Sequence, residues 1–304
     1  MACLYSLITN LYYNSSKMSE ILYSLSQFSI TDVEKSYRPE QAVEFARNNY
    51  IIPITLVTLY LLGCYYGKIY MQDKKPYDLR LLLAGWNALL SLFSFIGMCR
   101  TVPYLLANIM TKTYEETICA IPNNDWGSGA CGFWVTLFII SKVPELIDTM
   151  FIVLRKKPLI FLHWYHHVTV LLFCWSSFAT TSGSGLYFVA MNYSVHALMY
   201  GYYCLQALNI CPKWFPTVLI TISQITQMFI GTAVCMSAWY FTLATTTTNT
   251  STNTNTTNKV CANEFSNLIA GALMYGSYLY LFVEFAVGRY GKAGKAKGKW
   301  VKLL

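Results

Sequence analysis

The stretch that decides the fold is "KVPELIDTMFIVLRKKPLIFLHWYHHVTV", Lys142–Val170. It consists of two apolar arms around a basic knot, Arg155-Lys156-Lys157-Pro158. Each arm carries polar residues at helical spacing. Lys142, Glu145, Asp148 and Thr149 recur at i, i+3, i+6 and i+7, which at ~100° per residue confines them to about a third of a helix circumference. His163, His166 and His167 stand at i, i+3 and i+4, also on one face. The stretch therefore reads as two membrane helices joined by a basic turn, each turning a polar stripe inward.

The rest of the chain agrees with that reading. Of 304 residues, 55% are hydrophobic and only 12% charged, and the mean hydropathy is +0.39, far from an ordinary soluble domain. Apolar runs long enough to cross a bilayer, roughly 20 residues each, fall at 50–70, 79–98, 131–153, 159–181, 186–208, 214–243 and 263–288. The expected fold class is all-α, a polytopic membrane protein with seven transmembrane helices. Lys74, Lys75, Arg155, Lys156, Lys157, Lys213, Arg289 and the tail "GKAGKAKGKW" all follow odd-numbered spans. Because cytoplasmic loops carry the excess of Lys and Arg, the N-terminus is expected in the lumen and the C-terminus in the cytosol. The net charge of +8 is thereby assigned to topology and to anionic membrane lipids, and no nucleic-acid partner is expected.

Three regions divide the chain: a lumenal or interfacial extension at 1–49, the membrane domain at 50–288, and a basic cytosolic tail at 289–304. Within the membrane domain, 241–262 is a Thr/Asn-rich tract with no apolar face to bury, expected to be a disordered lumenal loop. Asn14, Asn249 and Asn255 begin glycosylation sequons on the expected lumenal side, whereas the Asn192 match lies inside a span. The ten cysteines show no CxxC spacing. Cys99, Cys119, Cys131 and Cys261 fall at or beyond lumenal span ends, where oxidation is permitted. The candidate disulfide pairs Cys99 with Cys261; unpaired thiols are the alternative.

Two further spans carry polar stripes. "MNYSVHALMYGYY" places Asn192, His196, Tyr200 and Tyr203 on one side, and "TISQITQ" spaces Thr221, Gln224 and Gln227 three apart. Ionisable groups inside a bilayer are costly and mark functional sites, and all four histidines of the chain belong to these stripes. One cavity lined by four consecutive spans, with its polar end toward the cytosol, accommodates them.

Three chemistries compete for that cavity. HxxHH is also a ligand pattern of membrane di-iron desaturases, but those need about eight histidines, and four would leave at most a mononuclear zinc site. A receptor or transporter is disfavoured by the clustered histidines and by the absence of an inverted repeat. Imidazole nucleophilic and acid–base chemistry fits the residues best.

Taken in order, "KVPELIDT", "HWYHH", "HALMYGYY" and "TISQITQ" resemble the ELO family of very-long-chain fatty acid elongases. The resemblance implies a 3-ketoacyl-CoA synthase of the endoplasmic reticulum membrane, with six of seven helices forming an inverted barrel around an acyl tunnel closed at its lumenal end. No cofactor or metal is implied. The substrates would be acyl-CoA and malonyl-CoA, and the partners the ketoacyl reductase, dehydratase and enoyl reductase of the elongation cycle; a homodimer is compatible. By motif position, His166 would take the acyl group in a ping-pong cycle, with His196 across the tunnel. His163 and His167 would serve malonyl activation, and Asp148 and Asn192 would orient imidazoles. Lys142, Glu145, Tyr200, Tyr203, Gln224 and Gln227 would line the substrate site, and Arg155 would sit near the nucleotide of CoA. Bulky residues on the lumenal halves of the later spans, Trp239, Tyr240, Phe229 or Met274, are expected to set the tunnel's depth.

Overall fold

A computed structural model describes residues 16–26, 31–212, 214–251 and 261–290. Among them every regular element is helical. The α-helices are α1 (16–26), α2 (Asp32–Ser36), α3 (Glu40–Asn48), α4 (Ile51–Tyr70), α5 (Arg80–Thr111), α6 (Tyr114–Ile118), α7 (Gly129–Ser141), α8 (Ile147–Leu154), α9 (Phe161–Ala179), α10 (Gly185–Leu208), α11 (Val218–Ser251) and α12 (Phe265–Tyr290).

Four of them are long and apolar enough to cross a membrane: α4, α5, α11 over Val218–Thr246, and α12. The other three expected spans are helical as well, but polar residues set them apart. The segment expected at 131–153 is broken: Pro144 opens a 3₁₀ turn, Pro144–Leu146, between α7 and α8. Proline offers no N–H to the preceding turn and so ends α7. α9 carries the three clustered histidines, and α10 carries Asn192 and His196. α10 stops at Asn209, which takes a left-handed φ of 59° as its C-cap, a conformation asparagine tolerates well.

α5 and α10 form the most extensive helix pair. Their approach requires Gly97, where any Cβ would overlap the ring of Tyr193. The Tyr193 hydroxyl in turn donates to the carbonyl of Trp134 at 2.8 Å, tying α7 into the same core. α11 pairs with α12, and α12, α3 and α4 each pack on α9.

The bundle has two distinct ends. At one, Arg80 donates to the carbonyls of Ala207 (2.6 Å) and Leu208 (2.9 Å), and Lys156 Nζ holds those of Gln72 and Lys74 at 3.0 Å each. The other end carries a Cys119–Cys261 disulfide. There the chain before α12 is clamped by Gly183 N–H to the Ala262 carbonyl (2.5 Å) and Ala262 N–H to the Cys119 carbonyl (3.4 Å).

Several expectations change. Cys99 is a free thiol and Cys119 is the partner of Cys261. The span expected to end at 98 continues to Thr111, through a buried Arg100 (6% exposed) and Pro103. Cys99 therefore lies 12 residues inside α5, about 18 Å from its end. The tract expected as a loop from 241 is helical to Ser251; 252–260 lie outside the described residues, as do Asn14, Asn255, Lys213 and the tail beyond 290, and the side chain of Asn249. The 31–49 segment is built into the bundle through α2 and α3. Tyr240 and Phe229 point outward, 67% and 65% exposed, so neither can line an interior tunnel. Met274 is buried beside Tyr275 and Tyr278, and Trp239 packs on Phe265 at 4.9 Å.

Candidate active site

Four helical segments bring the polar stripes to one interior region. The break at Pro144 is what delivers the first. At the end of α7, Lys142 Nζ donates to both oxygens of Glu145 (2.7 and 2.9 Å), and Ser141 Oγ donates to Oε1 (2.9 Å). This ion pair is buried, with side chains 1% and 4% exposed. Such a pair is tolerated only when further hydrogen bonds complete it. Here Lys142 also donates to Asn192 Oδ1 on α10 at 3.3 Å. The Asn192 amide lies 3.1 Å from His196 Nε2. Lys142 and Glu145 are thus engaged with each other, and Lys142 is linked through Asn192 to His196.

A second network forms on α8. Asp148 accepts from the Trp86 indole (2.6 Å) and from the Tyr200 hydroxyl (2.7 Å). Among the described residues Asp148 hydrogen-bonds no imidazole. It reaches one through Tyr200, whose ring stands edge-on to His196 with centroids 5.2 Å apart. Thr149 bonds His163 Nε2 at 2.9 Å and Tyr60 at 2.8 Å.

The three histidines of α9 are near neighbours, His163 to His167 at 4.6 Å and His166 to His167 at 5.5 Å between ring centroids. Their environments differ. His167 and His196 are buried, 5% and 8% exposed, and His167 Nδ1 has no hydrogen-bond partner. His166 keeps accessible surface, and no described residue hydrogen-bonds its ring. Its ring is positioned instead against Tyr278, 5.1 Å away, whose hydroxyl donates to the His166 carbonyl at 3.1 Å. Lys142, Glu145, His163 and His196 all lie within electrostatic range of His166.

The remaining expected residues make other contacts. Gln224 donates to Met199 Sδ at 3.2 Å, Gln227 is buried, and Tyr203 packs on Tyr202 at 5.6 Å. Arg155 caps α8 and is partly exposed at the basic end. Trp86, Tyr60, Ser141 and Tyr278 were missed by sequence reasoning. Each is a single aromatic or hydroxyl on an apolar helix, and no spacing distinguishes it from an interface anchor. Among the described residues no three His, Cys, Asp or Glu side chains converge as a metal-ligand set.

An apolar cavity of about 70 Å³ lies along α9 beyond the histidines, toward the disulfide end. Phe138, Phe173, Cys174, Phe188 and Gly271 are among its walls.

Buried imidazoles with an apolar cavity beyond them, in an all-helical chain with four helices long and apolar enough to cross a membrane, define the class of protein. The chain belongs to the ELO family (GNS1/SUR4 family), which matches residues 45–298. It is similar to very long chain fatty acid elongase 6 of Mus musculus, 35% identical over 270 residues that cover 88% of this chain and 96% of the mouse protein. Elongase 6 of Drosophila melanogaster is 36% identical, covering 89% of this chain and 82% of the fly protein. Fatty acid elongase 3 of Trypanosoma cruzi is 35% identical over 280 residues, 84% of this chain and 89% of its own.

Proposed function

We propose that this protein is a fatty acid elongase that condenses acyl-CoA with malonyl-CoA to 3-ketoacyl-CoA, releasing CO2 and CoA. The observation that carries the reading is the contrast between His166 and its neighbours. His163 and His196 are each committed to a hydrogen-bond partner, and His167 is buried. His166 is positioned and accessible with its ring nitrogens uncommitted, as a nucleophile must be.

In the proposed cycle a ring nitrogen of His166 attacks the thioester carbonyl. The C–S bond breaks, the imidazole proton passes to the departing thiolate, and CoA leaves an acyl-imidazole behind. Malonyl-CoA then loses CO2, and its α-carbon attacks the acyl carbonyl. The C–N bond breaks, one proton is taken up, and His166 is restored with the chain longer by two carbons. His196, held by Asn192 and faced by Tyr200, is placed to stabilise negative charge on the reacting carbonyl. His163 and His167 would assist decarboxylation. The apolar cavity takes the alkyl chain, which gains from leaving water.

The same reading places seven helices across the endoplasmic reticulum membrane, six of them around the tunnel, with the basic end cytosolic. CoA phosphates would meet Arg155, Lys75 and Lys157 there; Lys156 is engaged with backbone carbonyls. The reductases and dehydratase of the cycle would be the partners.

The test is incubation of purified protein with acyl-CoA alone, then intact-mass measurement and peptide mapping. An acyl adduct on His166, absent from His166→Ala, is the expected result. No adduct and no CoA release, with iron or zinc bound stoichiometrically, would overturn the proposal.

A further inference from the structure

The far end of the apolar cavity includes residues that precede the family match. Pro39 and Val43 line it, and the match begins at residue 45. Val43 lies on the buried face of α3 and is 7% exposed. Trp126, from the segment before α7, lines the same end.

These residues are fixed in place. The Trp175 indole of α9 donates to the Ala46 carbonyl at 2.9 Å, and Arg47 donates twice to the Ala179 carbonyl, at 3.2 and 3.1 Å. Just upstream, Trp134 donates to the buried Glu34 at 2.6 Å, and Tyr37 bonds Thr136 at 2.5 Å. The Gly129 N–H donates to the Tyr37 carbonyl at 3.0 Å. Two tryptophan indoles, a guanidinium and a phenol thus lock α2 and α3 onto α7 and α9. A segment held this way is a wall, because moving it would strip several buried polar groups of their partners.

We infer that α3, through Val43, forms the floor of the acyl channel and sets the length of chain the enzyme accepts. The inference rests on the elongase reading. Along α9, the cavity walls run from Phe173 to Phe178 and onward. Phe178 is 12 residues beyond His166, about 18 Å along the axis. An all-trans alkyl chain advances ~1.25 Å per carbon, from a ~1.5 Å bond and ~111° angle, so a chain of about 14 carbons spans the distance from His166 to this level. Val43 lines the same cavity as Phe178, so on this inference α3 meets the last carbons of such a chain.

The test compares Val43→Phe, Val43→Ala and Glu44→Phe with the wild type in the full-length protein, using acyl-CoA substrates of increasing length and mass spectrometry of the products. Glu44 is exposed on the neighbouring position of α3, so it receives the same added ring outside the cavity. Val43→Phe should shorten the longest accepted chain by about two to four carbons, the space a phenyl ring takes at ~1.25 Å per carbon. Val43→Ala should extend it, and Glu44→Phe should leave it unchanged. Unchanged lengths in an active Val43→Phe overturn the inference. Should Val43→Phe be inactive, Val43→Ala decides alone: a longer limit supports the floor and an unchanged one removes it. Absence of condensation product from the wild type at every chain length instead defeats the elongase reading.

Discussion

Lys142 and Asn192, 50 positions apart in the sequence, meet inside the bundle at 3.3 Å. Through that contact the ion pair closing α7 reaches the imidazole of His196 on α10. Under the proposed function, a charge that could have been purely structural becomes part of a chain of fixed dipoles ending at His196.

The first prediction separates stability from positioning. Lys142→Met leaves Glu145 as an unpaired buried charge and should destabilise the protein by about 3–5 kcal/mol, whereas Lys142→Met with Glu145→Met should recover most of that loss. If the pair serves His196, the double variant remains slow although folded. Thermal unfolding in detergent and turnover, measured side by side, check both halves; a double variant with full activity would reduce the pair to scaffolding.

Asn192→Ala removes the partner of both Lys142 and His196. Loss of a buried polar partner costs about 1–3 kcal/mol, and the fall in activity should appear in kcat more than in KM. A change confined to KM would mean that His196 holds substrate and takes no part in chemistry.

Tyr200→Phe tests the Asp148 network. The hydroxyl donates to Asp148, and its loss leaves that carboxylate with the Trp86 indole; a hydrogen bond to a charged group contributes about 1.5–3 kcal/mol. Reduced thermal stability together with slower condensation is expected. Stability lost with condensation unchanged would place Tyr200 outside the positioning of His196.

Alkylation and mass analysis without reductant should find the pair Cys119 and Cys261 protected and Cys99 modified once the protein is unfolded. Cys261→Ser should lower stability by about 2–5 kcal/mol, as for long disulfide-closed loops. Cys99→Ser should be nearly neutral.

The legible and illegible parts of this molecule differ for physical reasons. The registers of His163, His166, His167, Asn192 and His196 were readable because polar groups in an apolar helix fix which side faces inward. Tyr240 and Phe229 were misassigned because an apolar helix bears no such mark, and hydropathy cannot distinguish a lipid-facing ring from a tunnel-facing one. The end of α5 was misjudged because the apolar run stops at 98, whereas the helix continues past the buried Arg100 to Thr111. The inward face of Asp148 was readable, but its partners Trp86 and Tyr200 come from helices whose rotation the sequence does not state. The docking of α3 depends on indole and guanidinium bonds to backbone carbonyls, and that of α2 on an indole bond to the Glu34 carboxylate, which leave no periodic trace.

The disulfide end has a consequence for how this chain tolerates change. Cys261 and Ala262, immediately after the Thr/Asn-rich tract, are fastened to Cys119 and Gly183 before α12 begins. The approach to α12, and through it Tyr278 and the His166 backbone it holds, is thus set from Cys261 onward. A change in the length of the tract between Ser251 and Cys261 should therefore leave the contact of Tyr278 with the His166 carbonyl unaltered.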